Sequence, residues 1–193
     1  MPRKGRLLVS CILYLFPASV KRIIGIDPGS LITGYGIIDV KGSASTYVTS
    51  GCVRIKGAAL NLPARLKVIF DSITELVIAY QPDEMVVEQV FLHRNADSAL
   101  KLGQARGAAI CAGVTQALIL HEYTPAQIKQ TIVGKGNATK EQIQHMVKVL
   151  LKLPSSPQAD AADALAVALC HSHTQQVMAQ IGTVSVWRKG RMR

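Results

Sequence analysis

The sequence predicts an α/β fold in which a five-stranded mixed sheet carries helices on both of its faces. Short apolar runs alternate with longer segments of helical periodicity, in the order β-β-β-α-β-α-β-α-α-α. The first three strands follow one another through tight connections, which requires antiparallel pairing, whereas helices separate the later strands. A chain of 193 residues is long enough to bury one full core, so a single domain is expected.

The first three strands are predicted from short apolar segments and the turns between them. The run 23–26 is a buried strand that ends at the turn Asp27-Pro28-Gly29. Segments 35–40 and 45–55 have the composition of two further strands. The short connection Lys41-Gly42-Ser43 joins these two strands in a hairpin.

A first helix is predicted over 62–80, where apolar side chains recur at helical spacing. Asn61 is a suitable cap for its first turn, and Pro82 stops the helix. The apolar run Met85-Val86-Val87 then forms a fourth, short and buried strand, which ends at Glu88.

A second helix is predicted over 97–118, with one face packed closely against the rest of the protein. The predicted inner face consists of Leu100, Gly103, Gly107, Ile110, Cys111 and Val114. A fifth strand over 119–123 and a short helix that starts at Pro125 follow it.

The C-terminal part of the chain is predicted to contain two more helices. One covers 139–151, and the last covers 158 to about 172, with Ser156 as its cap and Pro157 at its first position. Residues 174–193 form a basic tail, which we expect to be mobile.

Composition and charge restrict the class of protein. Hydrophobic residues make up 49% of the chain and charged residues 18%, which excludes a disordered protein. No apolar run reaches the roughly 20 residues of a membrane-spanning helix, so no membrane partner is expected. The net charge of +10 favours a polyanionic partner such as nucleic acid. However, residues 23–187 contain 13 bases and 12 acids, so most of the excess charge is terminal.

The first 20 residues are predicted to lie outside the fold. A basic segment, the apolar run 7–16 and Pro17-Ala18-Ser19 together imitate a signal peptide. The alternative is an extension upstream of the true translation start near Val20, and the family resemblance given below, which implies a cytoplasmic protein and begins only at about residue 22, favours this alternative. The folded domain is therefore predicted to span 21–173, and residues 1–19 are expected to be dispensable.

Four carboxylates stand out as candidates for chemistry. Asp27 and Glu88 each follow a buried strand, and strand ends on one side of an α/β sheet are where sites form. Asp160 and Asp163 are spaced i, i+3, so they project from one face of the last helix. Any one of them alone is better explained as a solvated turn or cap acid.

Taken together, four carboxylates without a Cys or His partner suit hard cations, Mg²⁺ or Mn²⁺. Two such ions about 4 Å apart activate water and stabilise the leaving oxygen of a phosphodiester. The pattern therefore favours metal-dependent phosphoryl transfer.

Long ordered motifs give this chain a resemblance to a known family, the RuvC Holliday-junction resolvases, which have a ribonuclease-H-like fold. The resemblance covers about 22–173, and the first 20 residues and the tail depart from it. The matching segments are 25–30, 33–36, 88–91, 95–107, 129–131, 144–147 and 158–166.

The resemblance implies a set of functional residues. The catalytic, metal-binding quartet corresponds to Asp27, Glu88, Asp160 and Asp163. Phe91 corresponds to an aromatic residue that stacks on unpaired bases at the centre of the junction, and Lys129 and Lys140 to basic residues of catalysis or phosphate contact. Arg94 and Lys135 are further candidates for DNA contact, on their charge and their place in loops. Lys135, like Lys101 and Arg106 on the second helix, is equally compatible with phosphate contact and with a solvated face.

The resemblance also implies the activity and the partners. It implies a Mg²⁺-dependent homodimer, with two ions per site and Mn²⁺ as a substitute, which makes paired symmetric nicks in a four-way DNA junction. The implied partners are a branch-migration motor and its junction-binding protein. The helix over 97–118 is the candidate dimer element, although its apolar face is equally compatible with a place in the core.

Three other functions are compatible with parts of the pattern. The Asp27-Pro28-Gly29 turn after a strand also occurs in kinase-like phosphotransferases, but these need two such domains and a longer chain. An inactive junction-binding module does not require all four carboxylates. A compact ribonuclease-H-like enzyme of RNA processing shares the fold, but the loop at Phe91 and the helix after it favour the junction enzyme.

Overall fold

A computed structural model of the chain describes residues 19–55, 61–89 and 95–189, the last eight as backbone only. Its five strands form one sheet in the order β3-β2-β1-β4-β5. The three N-terminal strands pair antiparallel, and β1–β4 and β4–β5 pair parallel, so the predicted mixed sheet is confirmed. The strands are β1 (Lys21–Asp27), β2 (Ile32–Lys41), β3 (Ala44–Arg54), β4 (Glu84–Glu88) and β5 (Ile119–Tyr123).

Helices cover both faces of this sheet. Side-chain caps define four of their starts: Asn61 and Asn95 accept hydrogen bonds from the Ala64 and Ser98 amides, and Thr124 and Thr139 each form a capping box. The helices are α1 (Leu62–Tyr80), α2 (Ala96–Thr115), α3 (Pro125–Val133), α4 (Lys140–Leu150) and α5 (Ala159–Lys189).

Two apolar clusters fill the space between the sheet and the two helix layers. Neighbouring residues of β1 point to opposite faces, so Ile23 packs towards α3, α4 and α5, whereas Ile24 packs towards α1 and α2. Val86 and Val87 of β4 divide in the same way. Among the helices in the described part of the chain, none is long and apolar enough to cross a membrane.

The helix α5 lies unusually close to the sheet. A Cβ atom on Gly25 of β1 would lie 2.2 Å from the carbonyl oxygen of Ala164, so only glycine permits this approach. The close contact brings the first turns of α5 to the same edge of the sheet as the ends of β1 and β4.

Two predictions about the last helix are wrong. It begins at Ala159, so Ser156 is not its cap and Pro157 is not its first residue. It also continues to Lys189 instead of ending near Ser172, so the predicted tail is helical as far as that residue. The physical reason is that α5 keeps contacts beyond Ser172, where Gln175 hydrogen-bonds to Glu84 on the sheet.

The predicted inner face of α2 is wrong for most of its residues, although Ile110 is partly buried and packs against the core as predicted. Leu100 and Val114 are 68% and 52% exposed, and a Cβ on Gly103 or Gly107 would meet no described atom within 4 Å. The residues that α2 buries most fully are instead Ala105, Ala109, Ala112 and Gly113. Small side chains allow α2 to approach α1 and the sheet closely, and the larger Leu100 and Val114 are left on the surface.

Candidate active site

Two predicted carboxylates meet where adjacent parallel strands end. Asp27 is the last residue of β1 and Glu88 the last of β4, and the pairing of Ile26 with Val87 places these ends side by side. Both carboxylates lie close enough to each other and to Asp163 of α5 for their charges to interact. The β1–β4 junction therefore supplies half of the predicted quartet.

The first turns of α5 add the other two acids, in unequal positions. Asp163 lines a cleft together with Asp27 and Glu88. Asp160 lies one turn earlier and does not line this cleft, although its charge acts on Asp163 and Lys140. The structure thus brings three of the four predicted acids directly together and places Asp160 at their margin.

Two lysines from the helices opposite complete the polar part of the cleft. Lys129 of α3 and Lys140 of α4 both line it. The Lys140 Nζ atom lies 3.4 Å from Asp163 Oδ2, and the Asp163 charge is the main cause of the raised pKa of Lys140. Both lysines predicted to act in catalysis or phosphate contact therefore lie beside the acids.

Burial and mutual repulsion raise the pKa values of the acids in the cleft. Burial, and then the charges of Glu88 and Asp163, raise the pKa of Asp27 to about 8. Burial is also the main cause of the raised pKa values of Glu88 and Asp163. Carboxylates held together at such a cost are stabilised by a cation, and a donor set made only of carboxylate oxygens fits Mg²⁺ or Mn²⁺.

Arg106 of α2 has a supporting role at this edge of the sheet. Its Nε atom donates a hydrogen bond of 3.4 Å to the backbone carbonyl of Glu88, and its guanidinium pairs with Glu122 of β5. From sequence, Arg106 was equally compatible with a solvated face and with phosphate contact. The structure gives it a third role, which is to hold the end of β4.

The remaining predicted DNA contacts are Lys135, Phe91 and Arg94. Lys135 is exposed in the loop between α3 and α4 and does not line it. Phe91 and Arg94 lie outside the described residues. The cleft also has an apolar wall, which consists of Pro125, Ile128, Ile143 and Ala166. The sequence did not reveal this wall, because its residues have the same helical spacing as ordinary core residues.

A cluster of carboxylates at the strand ends of a mixed sheet, faced by a helix that carries two more, defines a nuclease of the ribonuclease-H-like class. Comparison with known proteins narrows this class. The model of the family described as "Crossover junction endodeoxyribonuclease RuvC" matches residues 23–171. The chain therefore belongs to the RuvC family.

Curated relatives are similar over nearly their whole length. A crossover junction endodeoxyribonuclease RuvC of Shewanella loihica is 58% identical over 172 residues, which are 89% of this chain and 98% of the relative. The corresponding protein of Hahella chejuensis is 55% identical, over 89% of this chain and 99% of the relative. The function of the family, resolution of Holliday junctions in recombination and repair, is thus the function of this chain.

Solved structures agree with this assignment. RuvC of T. thermophilus in complex with a Holliday junction substrate superposes with a TM-score of 0.76 at 31% identity, over 81% of this chain and 96% of that one. A yeast mitochondrial Holliday junction resolvase has a TM-score of 0.62 at 12% identity, over 91% and 88% of the two chains, and shares the fold.

Proposed function

We propose that Asp27, Glu88, Asp160 and Asp163 form the catalytic, metal-binding centre with which this chain cleaves the strands of a four-way DNA junction. The observation that carries the proposal is the meeting of Asp27, Glu88 and Asp163 in one cleft, at pKa values raised by burial and repulsion. Asp160 joins them from the preceding turn of α5.

The residues present fit two Mg²⁺ ions per site, with Mn²⁺ as a substitute. When bound, such ions activate water and neutralise the charge that develops on the phosphodiester. The four carboxylates would hold these ions. Lys129 and Lys140 supply positive charge on the opposite wall, where they attract the DNA backbone and limit the repulsion between DNA and the acids.

The direct test of this function is a cleavage assay with a synthetic four-way junction. We expect paired symmetric nicks in the presence of Mg²⁺ and no nicks when a chelator is added. A linear duplex of the same sequence should remain intact, and ATP should not be hydrolysed. Hydrolysis of ATP in the absence of DNA would support a phosphotransferase instead.

Beyond the cleft, we assign base stacking to Phe91 and phosphate contact to Arg94 and Lys135. Phe91 follows the catalytic Glu88 by three residues, so it belongs to the segment that leaves the sheet at the site. Lys135 is exposed in the loop after α3, the helix that also carries Lys129. Contacts from these three residues would extend the binding of DNA beyond the scissile phosphate.

Phe91→Ala is expected to lower cleavage of an intact junction by about 10-fold or more, with little change in melting temperature. Base stacking contributes about 1–3 kcal/mol per base, and this contribution holds the crossover open. A junction already unpaired beside the scissile phosphate should be cut at nearly the normal rate. The control is Phe70→Ala, at a partly buried residue of α1 that packs against the core, which should lower the melting temperature under the assay conditions of both substrates alike. Equal impairment on both substrates would contradict the stacking role.

The protein is further proposed to act as a homodimer, because two symmetric nicks need two identical sites. The surface that fits this role is the outer face of α2. It exposes Leu100 and Val114, and Gly103 and Gly107 leave open space between them. Glycines on an exposed helix face allow a second helix to approach closely. The monomer does not need glycine at these positions, whereas a dimer would.

Leu100→Glu is expected to produce a monomer that remains folded. A charged residue would interrupt the apolar face of α2, while the loss of an exposed side chain leaves the monomer core intact. Sedimentation should show the change in mass, and cleavage should fall because paired nicks need the dimer. The control is Ile78→Glu on α1, which is equally exposed and lies outside this face. A wild-type chain that is monomeric both free and on the junction would exclude the dimer.

The remaining partners follow from the family and not from the site. A branch-migration motor and its junction-binding protein are the proposed partners in the same recombination system. The proposed location is the cytoplasm, where the chromosomal DNA is.

A further inference from the structure

A second cluster of possible metal ligands lies on the same face of the sheet, away from the catalytic cleft. Glu84 begins β4, His121 is the middle residue of β5, and His171 lies on α5. Glu88 is four residues further along β4 than Glu84, a distance of roughly 13 Å. His171 follows Asp163 by eight residues, which is about 12 Å along α5. The cluster is therefore separate from the catalytic carboxylates.

The three side chains converge on a small volume. One ligand atom from each lies within 4.8 Å of the other two. The Nε2 atom of His171 is 2.7 Å from Glu84 Oε2, and the Nε2 atom of His121 is 3.9 Å from the same oxygen. The two imidazole rings lie 4.2 Å apart between centroids. This spacing allows one ion to contact all three groups after small side-chain rotations.

His121 is the member that the protein alone does not satisfy. Its Nε2 atom is buried and has no hydrogen-bond partner among the residues that the structure describes. An unpaired buried polar nitrogen is costly, and it points at a carboxylate that is too distant for a hydrogen bond. A metal ion between them would give this nitrogen a partner.

We propose that Glu84, His121 and His171 bind one Zn²⁺ ion, which ties the helix α5 to strands β4 and β5. Two imidazoles and one carboxylate are a ligand set that suits Zn²⁺, whereas Mg²⁺ prefers oxygen ligands. The site is distinct from the catalytic centre in position and in ligand chemistry. Its role is structural: by fixing α5 against the sheet, the ion also fixes the helix that carries Asp160 and Asp163.

The surroundings of His171 prepare it for this role. Its Nδ1 atom is 2.9 Å from the hydroxyl of Tyr123, the kind of outer contact that orients a metal-binding histidine. Burial is the main cause of the lowered pKa of His171, so the imidazole is neutral at pH 7. For Glu84, burial opposes ionisation, but hydrogen bonds from Lys21 and His171 prevail and its pKa is lowered. Glu84 is therefore ready to bind a cation, and His171 Nε2 becomes a ligand when the ring proton moves to Nδ1, where the Tyr123 hydroxyl oxygen accepts it.

Two further side chains contact the cluster and have room to adjust. Lys21 binds the other oxygen of the Glu84 carboxylate, Oε1, at 2.7 Å, and its side chain is 41% exposed. It is therefore free to turn towards solvent. The amide of Gln175 lies 2.8 Å from His171 Nε2 and 3.0 Å from Glu84 Oε2. Rotation of this amide would direct its oxygen towards the ion as a fourth ligand.

Calorimetric titration of the tag-free, full-length chain with Zn²⁺ tests the proposal. Excess Mg²⁺ is included so that the catalytic carboxylates are occupied. We expect one Zn²⁺ per chain and a higher melting temperature in its presence. His121→Ala should weaken binding by at least 10-fold, and so should Glu84→Gln. The control His145→Ala, an exposed histidine on α4, should bind as the wild type does.

Replacing Zn²⁺ by Co²⁺ adds a spectroscopic readout. Co²⁺ with nitrogen ligands in a site of low coordination number absorbs visible light, and this absorption should be lost in His121→Ala. Because His121 Nε2 makes no hydrogen bond within the described chain, this variant remains informative even if Glu84→Gln does not fold. Zn²⁺ binding that is absent in the wild type, or unchanged in His121→Ala, would overturn the proposal. Neither result depends on cleavage activity, so the proposed catalytic centre is tested separately.

Discussion

Replacing Asp27 by asparagine is expected to lower the rate of junction cleavage by about 10³-fold or more while the protein still binds the junction. The amide keeps the size of the side chain but loses the negative charge that holds a cation, and cation stabilisation of the transition state amounts to several kcal/mol. Binding should be equal or tighter, because one carboxylate no longer repels the phosphates. Single-turnover cleavage and a mobility-shift assay on the same junction measure both effects.

Asp71→Asn is the matched control for this variant. Asp71 lies on α1 and forms an exposed ion pair with Lys67, so its loss should change stability by less than about 1 kcal/mol and leave cleavage unaffected. Glu88→Gln should behave like Asp27→Asn, since both acids line the same cleft. Cleavage by Asp27→Asn at the wild-type rate would refute the assignment of the centre.

The raised pKa of Asp27 also predicts how stability depends on pH. This pKa is about 8, well above the ordinary value of about 3.9, so between these values the folded protein binds a proton that the unfolded chain does not. Without divalent ions, this contribution is fully present below pH 4 and is lost as the pH rises through 8. The melting temperature of Asp27→Asn should therefore exceed that of the wild type increasingly between pH 5 and 8.

Divalent ions should reverse this trend. Because Mg²⁺ and protons compete for the same carboxylates, the stabilisation of the wild type by Mg²⁺ should grow with pH over the same interval. Melting curves in chelator and in excess Mg²⁺ measure both dependences. Parallel curves for wild type and Asp27→Asn in chelator would show that Asp27 does not hold this proton.

The second large effect is expected from Gly34→Ala, a change that adds one methyl group outside the cleft. A Cβ atom at Gly34 of β2 would lie 2.0 Å from the backbone oxygen of Asp160, so the first turn of α5 has to move. A displacement of about 1 Å in a catalytic group can lower a rate by about 10²-fold, and we expect a loss of this size. Overpacking of this kind also costs about 1–3 kcal/mol of stability.

Gly136→Ala is the control for this substitution. It lies in the loop between α3 and α4, where the nearest atom to an added Cβ is 3.8 Å away, an ordinary contact. Its cleavage rate and melting temperature should match those of the wild type. Comparing cleavage at a temperature well below both melting points separates the displaced acids from a general loss of folded protein. Wild-type cleavage by Gly34→Ala would show that α5 adjusts without moving its acids.

The sequence by itself determined the order of the elements and the four acids. Apolar runs that end at Asp27 and Glu88 predict strand ends, because local periodicity and turn residues are sufficient for that inference. The i, i+3 spacing of Asp160 and Asp163 predicts a shared helix face in the same way. The long motifs added the family, and the family model and the curated relatives confirm it.

Tertiary packing decided which face of α2 is buried, where α5 ends and which distant side chains converge. Leu100 and Val114 lie on the outer face of α2 and the alanines on its inner face, because close approach to the neighbouring layer favours small side chains over large ones. The continuation of α5 beyond Ser172 depends on the contact between Gln175 and Glu84, which are 91 residues apart. The convergence of Glu84, His121 and His171 likewise depends on three elements that meet only in the folded sheet, so no spacing in the sequence reveals it.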